Sequence, residues 1–369
     1  MANPILPFLY GTNPMEQLKG VSGISLQFHI TAKCDQSCKH CYMYNSPYYK
    51  AQIDNELTEN EMKNLLDEYF EFLGEYNCDG SIALTGGDPI LSPYFWNLLT
   101  YINNNYSKRC VVVILGNPYH IDRKIAKRLK KLGIGDYQIS LDGLKKTHDK
   151  LRKVGSFENS LRAMKVLHEE GIRTIVSFTL SKINKSELIP LFEFLEKCEF
   201  VDGFGFDIMI PTGNGESMKE EIFEPEEYKA FLFELYKYEI FGNHKLEISK
   251  KAQMWKVLFW ELGLTDPIDT RKKQHYISGC GAGTETLSVL ADGTIFPCRK
   301  MELSAGKYPE KSFKEILLHN EVTKKLMKYN NYKGCSNCEV NTVCRGCPAM
   351  KYALTGNIYE KEPCCWRCQ

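Results

Sequence analysis

Three cysteines, Cys34, Cys38 and Cys41, fall within eight residues of the stretch TAKCDQSCKHCYMYN (31–45). Thiols this dense bind metal or react wherever the surroundings keep cysteine reduced. A single tetrahedral zinc wants four ligands, and the fourth donor nearest to hand is His40. A cubane iron–sulfur cluster also offers four irons, and three thiolates from one loop leave one iron able to take an exogenous chelator. Nine more cysteines lie between Cys280 and Cys368, leaving only Cys78, Cys110 and Cys198 scattered as small buried hydrophobes. Two clusters of thiols imply at least two sites.

Composition removes several alternatives. With 47 Lys and Arg against 46 Asp and Glu, the net charge of +1 gives no bulk attraction to nucleic acid or anionic lipid. The start MANPILPFLYGTNPM lacks a basic targeting region and carries Pro4, Pro7 and Pro14, and an apolar run such as VVVIL (111–115) falls far short of a membrane span. A cytoplasmic protein with no nucleic-acid or membrane partner is expected. At 369 residues, two domains are favoured over one.

The elements that must hold these cysteines follow from periodicity. Strand patterns occur at SLQFHI (25–30), SIALT (81–85), CVVVIL (110–115), YQISL (137–141), RTIVSFTL (173–180) and GFGFDIMI (203–210). Helical patterns alternate with them, and three close on Gly74, Gly133 or Gly171 where a C-cap belongs. Six β-then-α units about 30 residues apart argue for a parallel sheet with outer helices, two strands short of an eight-unit barrel. Reactive groups in such sheets sit on loops after the strands, and Cys34 to Cys41 directly follow the first. His29, on the polar side of that strand, faces the cavity or pairs with backbone. PTGNGES (211–217) reads as a linker, followed by helical stretches at 225–241 and 249–263 and then a cysteine-rich, metal-stapled region.

C-x3-C-x2-C is the pattern of the radical S-adenosylmethionine (SAM) family, and residues 24 to about 210 resemble it further. LTGGDP (84–89) is similar to the family's Gly-Gly-Glu-Pro motif, with Asp88 in place of Glu; LGNP (115–118) resembles its Thr-Asn-Gly position. SLDG (140–143) and HDKLRKVGSF (148–157) match two further segments in order. Singly these are weak: GGDP is an ordinary turn, and Asp149 and His148 read equally well as helix-cap and surface residues.

The resemblance implies that Cys34, Cys38 and Cys41 hold a [4Fe–4S] cluster whose open iron binds SAM, cleaved reductively to a 5′-deoxyadenosyl radical. Tyr42, Gly86, Gly87, Asp88, Asn117, Ser140, Asp142 and Arg152 would be its SAM contacts, Arg152 meeting the carboxylate. A flavodoxin or ferredoxin would supply electrons.

Cys280, Cys298, then Cys335, Cys338, Cys344 and Cys347, then Cys364, Cys365 and Cys368 resemble the SPASM extension of this family. Its usual C-x2-C-x5-C-x3-C run is shortened by one residue before Cys347. By this resemblance Cys280, Cys298 and Cys347 ligate one auxiliary [4Fe–4S] cluster, while Cys335, Cys338, Cys344 and one of the last three cysteines ligate a second, making three clusters in all. Zinc knuckles would use the same C-x2-C spacing. ADGTIFPC also reads as a hairpin turning at Asp292-Gly293. The expected fold is α/β: an N-terminal segment (1–23), a partial (β/α)6 barrel of the radical SAM type (24–215), a helical bridge (216–274) and a small cysteine-rich α+β SPASM domain (275–369).

This combination suggests a maturase that installs a thioether or carbon–carbon cross-link in a ribosomally made peptide. Sulfatase maturation ranks low, because Arg299 stands where an Asp base is usual. Alternatives are tailoring of a haem precursor by decarboxylation or side-chain loss, which basic and aromatic cavity residues would favour, and peptide epimerisation. About 24 residues precede the first strand, too few for a leader-binding domain, so a precursor peptide would need a separate leader-binding protein or a direct groove. Replacing Cys34 is expected to abolish SAM cleavage, whereas Cys298→Ala should spare cleavage and lose the modified product. Chromatography of 5′-deoxyadenosine beside mass spectrometry of the product checks this division.

Overall fold

The structure is a computed structural model and describes residues 23–264, 279–341 and 343–368. Nearly all of the N-terminal segment and the junction at 265–278 lie outside the described residues. The six expected strands form as β1 (Gly23–His29), β2 (Asp79–Thr85), β3 (Cys110–Leu115), β4 (Asp136–Ser140), β5 (Arg173–Leu180) and β6 (Gly203–Ile208). They lie in chain order, each parallel to the next. Each crossover carries helix, so one sheet face is sealed by apolar side chains: Ile24, Leu26 and Phe28 of β1 and Val176, Phe178 and Leu180 of β5 are buried. Burying each such side chain contributes roughly 1.5–3 kcal/mol. The alternate residues, among them Gln138, Ser140, Ser177, Thr179 and Asp207, face a cavity instead.

The helix Glu59–Tyr76 shows how the sequence sets an element. Thr58 and Glu61 form a reciprocal capping box at its start, and Met62, Leu65, Leu66, Tyr69, Phe70 and Leu73 make its buried face. Tyr69 reaches past the sheet to donate to the Ile24 carbonyl at 2.6 Å. Gly74 is not its cap. The helix runs through Gly74 to Asn77, which takes the left-handed conformation at φ 50°. Gly133 and Gly171, at φ 80° and 74°, do follow their helices as expected.

The sheet is larger than six strands. Ile248–Ser249 is β7 and pairs with β6, so the helix expected from residue 249 begins only at Met254. At the other edge β8 (Thr286–Val289) lies parallel to β1, and β9 (Thr294–Phe296) and β10 (Gly306–Lys307) continue the sheet antiparallel. The β8–β9 hairpin turns at Asp292 and Gly293, where φ is 83° and an added Cβ would sit 2.1 Å from the Tyr308 carbonyl oxygen. The cysteine-rich segment thus shares one sheet with the barrel. Ten strands and the helices around them make an open partial barrel with a small α+β addition at its edge. Cys78, Cys110 and Cys198 are half-buried at its margins rather than in the core.

His29 ends β1 fully buried, with no hydrogen-bond partner for either ring nitrogen among the described residues, so it does not pair with backbone. Burial, then the charge of Arg299, pushes its pKa down to about 3. An unfolded histidine titrates near 6.5, so the unfolded chain takes up a proton that the folded one refuses. The stability His29 allows is complete above pH 6.5 and is lost as pH falls from there toward 3. In denaturant titrations at pH 7.5 and 5.5, wild type should lose about 1 kcal/mol more stability on going to the lower pH than His29→Gln does.

Candidate functional site

The cysteine loop leaves β1 at the C-terminal mouth of the barrel. Two backbone hydrogen bonds from the loop after β2 hold it: Gly87 N–H to the Thr31 carbonyl at 2.9 Å and Asp88 N–H to that of Lys33 at 2.8 Å. The approach tolerates no side chain. A Cβ on Gly86, at φ 141°, would lie 2.1 Å from the Thr31 oxygen, and one on Gly87 would lie 2.1 Å from the Lys33 oxygen. Glu56 secures the first turn, accepting from Thr31 Oγ1 at 2.6 Å and from the Ala32 amide at 2.9 Å.

Every thiol of the loop meets a donor or an acceptor. Asn117 Nδ2 lies 3.3 Å from Cys34 Sγ, Arg152 Nη1 3.6 Å from Cys38 Sγ, and the Tyr44 amide 3.4 Å from Cys41 Sγ. Burial raises Cys38 to about 12, with the Arg152 charge opposing it. The three thiols share one cavity with Tyr42, Gly86, Gly87, Asn117, Ser140 and Arg152.

Two of the residues expected at the SAM site, Asp142 and Asp88, do not line the cavity. Asp142 is fully buried, off the cavity wall; its Oδ2 holds Arg152 Nε at 2.5 Å and His40 Nε2 at 3.2 Å, and its Oδ1 accepts from the Thr179 amide at 2.8 Å. Burial alone would raise its pKa, but Arg152 and His40 outweigh that and hold the carboxylate well below its usual range. Asp142 therefore aims Arg152 across the cavity. Asp88 is likewise buried: one oxygen lies 3.4 Å from the Asn117 amide, the other is unpartnered, and burial lifts its pKa to about 7. His148 is buried too, accepting from the Asp142 amide at 3.1 Å, while Asp149 caps the helix Ser156–Glu169 through the Gly155 and Phe157 amides.

PTGNG (211–215) is no linker. Asn214 donates from its amide to the Cys41 carbonyl and from Nδ2 to that of Cys38, both at 2.9 Å, so the segment after β6 closes the cysteine loop from the far side. Sequence reading missed this contact; its signal was a Gly-flanked Asn directly after the sixth strand.

In the C-terminal region, burial holds the Cys347 thiol well above its ordinary pKa, with Glu362 and then Cys280 and Cys298 adding to the shift. Cys335 Sγ lies 3.7 Å from Cys368 Sγ, and Cys365 bonds Cys368 as well. Cys364 turns away, to the Phe223 carbonyl at 3.6 Å. Buried Arg345 donates to the carbonyls of Leu326 and Cys280, and buried Lys351 donates to that of Arg345. A single zinc with Zn–S near 2.3 Å draws its sulfurs to about 3.8 Å apart. Among the described residues the only three ligating groups within 4.8 Å of one another are Asp35, Asp88 and His120, not a cysteine trio. The Cys335–Cys368 pair, at 3.7 Å, has that separation, and no third cysteine lies within 4.8 Å of both among the described residues.

Parallel sheet, a three-thiol loop at its C-terminal mouth and a thiol-rich edge define a radical SAM enzyme with a SPASM domain. The radical SAM superfamily matches residues 28–195, and the SPASM iron–sulfur cluster-binding domain matches residues 280–348. The first binds SAM and a [4Fe–4S] cluster, and the second binds auxiliary iron–sulfur clusters. The chain is 28% identical to an AdoMet-dependent heme synthase of Methanosarcina barkeri, over 92% of this chain and 95% of that one. In fold it is similar to SuiB of Streptococcus suis bound to precursor peptide SuiA, at TM-score 0.71 and 16% identity, covering 95% of this chain and 76% of that one. It also resembles anSMEcpe with bound AdoMet, at TM-score 0.69 and 17% identity, covering 93% and 94%.

Gly87→Ala should lower the rate of SAM cleavage about a hundredfold, since a displacement near 1 Å at a reacting centre costs that much. Gly135→Ala, where an added Cβ meets nothing within 4 Å, should leave the rate unchanged. Single-turnover assays of 5′-deoxyadenosine on both variants check this.

Proposed function

We propose that this protein tailors a haem precursor, removing carboxyl carbon from a tetrapyrrole side chain. The observation that carries the reading is the near end-to-end similarity to an AdoMet-dependent heme synthase, which takes in both cysteine-bearing regions. The cavity wall supports it, because basic Arg299 and Lys300 stand there beside aromatic Tyr42, Tyr44 and Tyr49. That pairing suits a flat, apolar macrocycle with acidic edges.

In this reading Cys34, Cys38 and Cys41 hold the SAM-binding cluster, Cys280, Cys298 and Cys347 one auxiliary cluster, and Cys335, Cys338, Cys344 and Cys368 or Cys365 the other. When bound, these groups supply a 5′-deoxyadenosyl radical that removes a hydrogen from the substrate and a sink for the electron left when carboxylate departs as CO2. The chain's own residues do the positioning. Gly86 and Gly87 present backbone to the cofactor's amino group, and Arg152, held by Asp142, offers a guanidinium to its carboxylate. Asn117 and Asn214 fix the cysteine loop between them. A reductant is required, and a flavodoxin or ferredoxin is the class proposed.

A peptide maturase forming a thioether or carbon–carbon link is the second reading, supported by the fold shared with a precursor-peptide complex. Reduced enzyme with SAM and a propionate-bearing iron porphyrin should give 5′-deoxyadenosine and a product lighter by CO2 and two hydrogens per side chain. An unchanged porphyrin, together with a peptide that loses two hydrogens under the same conditions, would transfer the assignment to the second reading.

A further inference from the structure

The cavity beside the cysteine loop is about 160 Å3, below the roughly 300–1,000 Å3 usual for a ligand of drug size. A second hollow of about 740 Å3 adjoins it inside the barrel, and Gln138, Ser177, Asp207 and Arg299 line both. Space for a large substrate therefore lies on the β5–β7 side, with Arg299 at the junction.

The charges around that junction do not balance. Lys300 is ion-paired with Asp207. Arg299 stands over the Tyr42 ring at 5.5 Å and meets no carboxylate among the described residues; nor does Lys251, which lies open to the second hollow. The surrounding groups are matched or offset. Arg173 faces Asp136 at 3.6 Å, Lys250 holds Glu239 at 2.9 Å, and Asp202 accepts from the Thr174 amide at 2.7 Å. Lys245 and Glu247 are both exposed and of opposite sign. Asp207, already paired with Lys300, is the one carboxylate among the described residues whose charge reaches both Arg299 and Lys251, so three cations share a single anion at the junction and a substrate carboxylate would relieve the excess. Close to the same junction His29, packed edge-on to Tyr42 at 6.4 Å, keeps both ring nitrogens unpartnered while fully buried.

We propose that Arg299 and Lys251 are specificity residues that bind two carboxylates of the substrate, seating it in the second hollow so that a remaining side chain points past Tyr42 to the cysteine loop. The inference rests on the tetrapyrrole reading and sharpens it to a substrate with at least three carboxylates, two held and one reacting.

Holoenzyme kept anaerobic is titrated with an iron porphyrin tetracarboxylate and with its tetramethyl ester, following the porphyrin absorbance. The acid should bind at least about tenfold more tightly than the ester, as expected for charge-assisted hydrogen bonds, and added salt should weaken the acid alone. Arg299→Gln and Lys251→Gln should each weaken the acid by about tenfold while leaving the ester within about twofold, and Arg299→Lys should recover part of the loss. Equal binding of acid and ester by wild type, or variants that weaken both ligands alike, would overturn the carboxylate anchors while leaving the tetrapyrrole reading intact. Failure of wild type to bind either porphyrin would overturn both.

Discussion

The site depends on the close passage of two backbone segments, the loop after β2 lying on the loop after β1. Two hydrogen bonds hold them together, and glycine at 86 and 87 lets them approach to a distance at which any Cβ would collide with a carbonyl. Everything else at the mouth of the barrel is arranged about that contact. Asn117, from the loop after β3, reaches Cys34; Arg152, following β4, reaches Cys38; Asn214, following β6, holds the carbonyls of Cys38 and Cys41. Successive loops of a parallel sheet converge on one end, so residues far apart in sequence meet there without any strand bending to bring them.

Much of this was legible beforehand, for a physical reason. Strands buried on their helix-facing side carry β-branched and aromatic runs, and helices between them carry a 3.6-residue pattern, so β1 to β6 announced themselves. The cysteine spacing and the glycines of LTGGDP were legible because thiols and absent side chains have few other uses in those positions. What stayed hidden depended on partners distant in the chain. Ile248–Ser249 is too short to show a period and is a strand only because β6 offers it an edge. PTGNG resembles any flexible connection until its Asn214 is seen to satisfy two carbonyls of the cysteine loop. Asp142 reads from sequence as a cofactor contact, yet it is buried against Arg152 and His40, a pairing that no spacing in the sequence displays.

The C-terminal cysteines illustrate a different limit. Spacing separates them into sets but cannot choose among Cys364, Cys365 and Cys368. The fold sets one of them apart: Cys368 and Cys365 lie with Cys335, whereas Cys364 faces Phe223. Because β8 is hydrogen-bonded to β1, this thiol-rich edge is joined through the sheet to the strand that leads into the first cysteine loop. Backbone pairing of β8 with β1 thus ties the cysteine-rich region to the sheet that lines the cavity.

The central claim is that the three thiols of the first loop leave one iron vacant for SAM. Electron–nuclear double resonance of the dithionite-reduced protein, with SAM labelled by 15N at its amino group, tests this at the atoms concerned. The account predicts a 15N hyperfine coupling to the reduced cluster that disappears in Cys38→Ala. A reduced, iron-replete cluster with no such coupling at saturating SAM would contradict it.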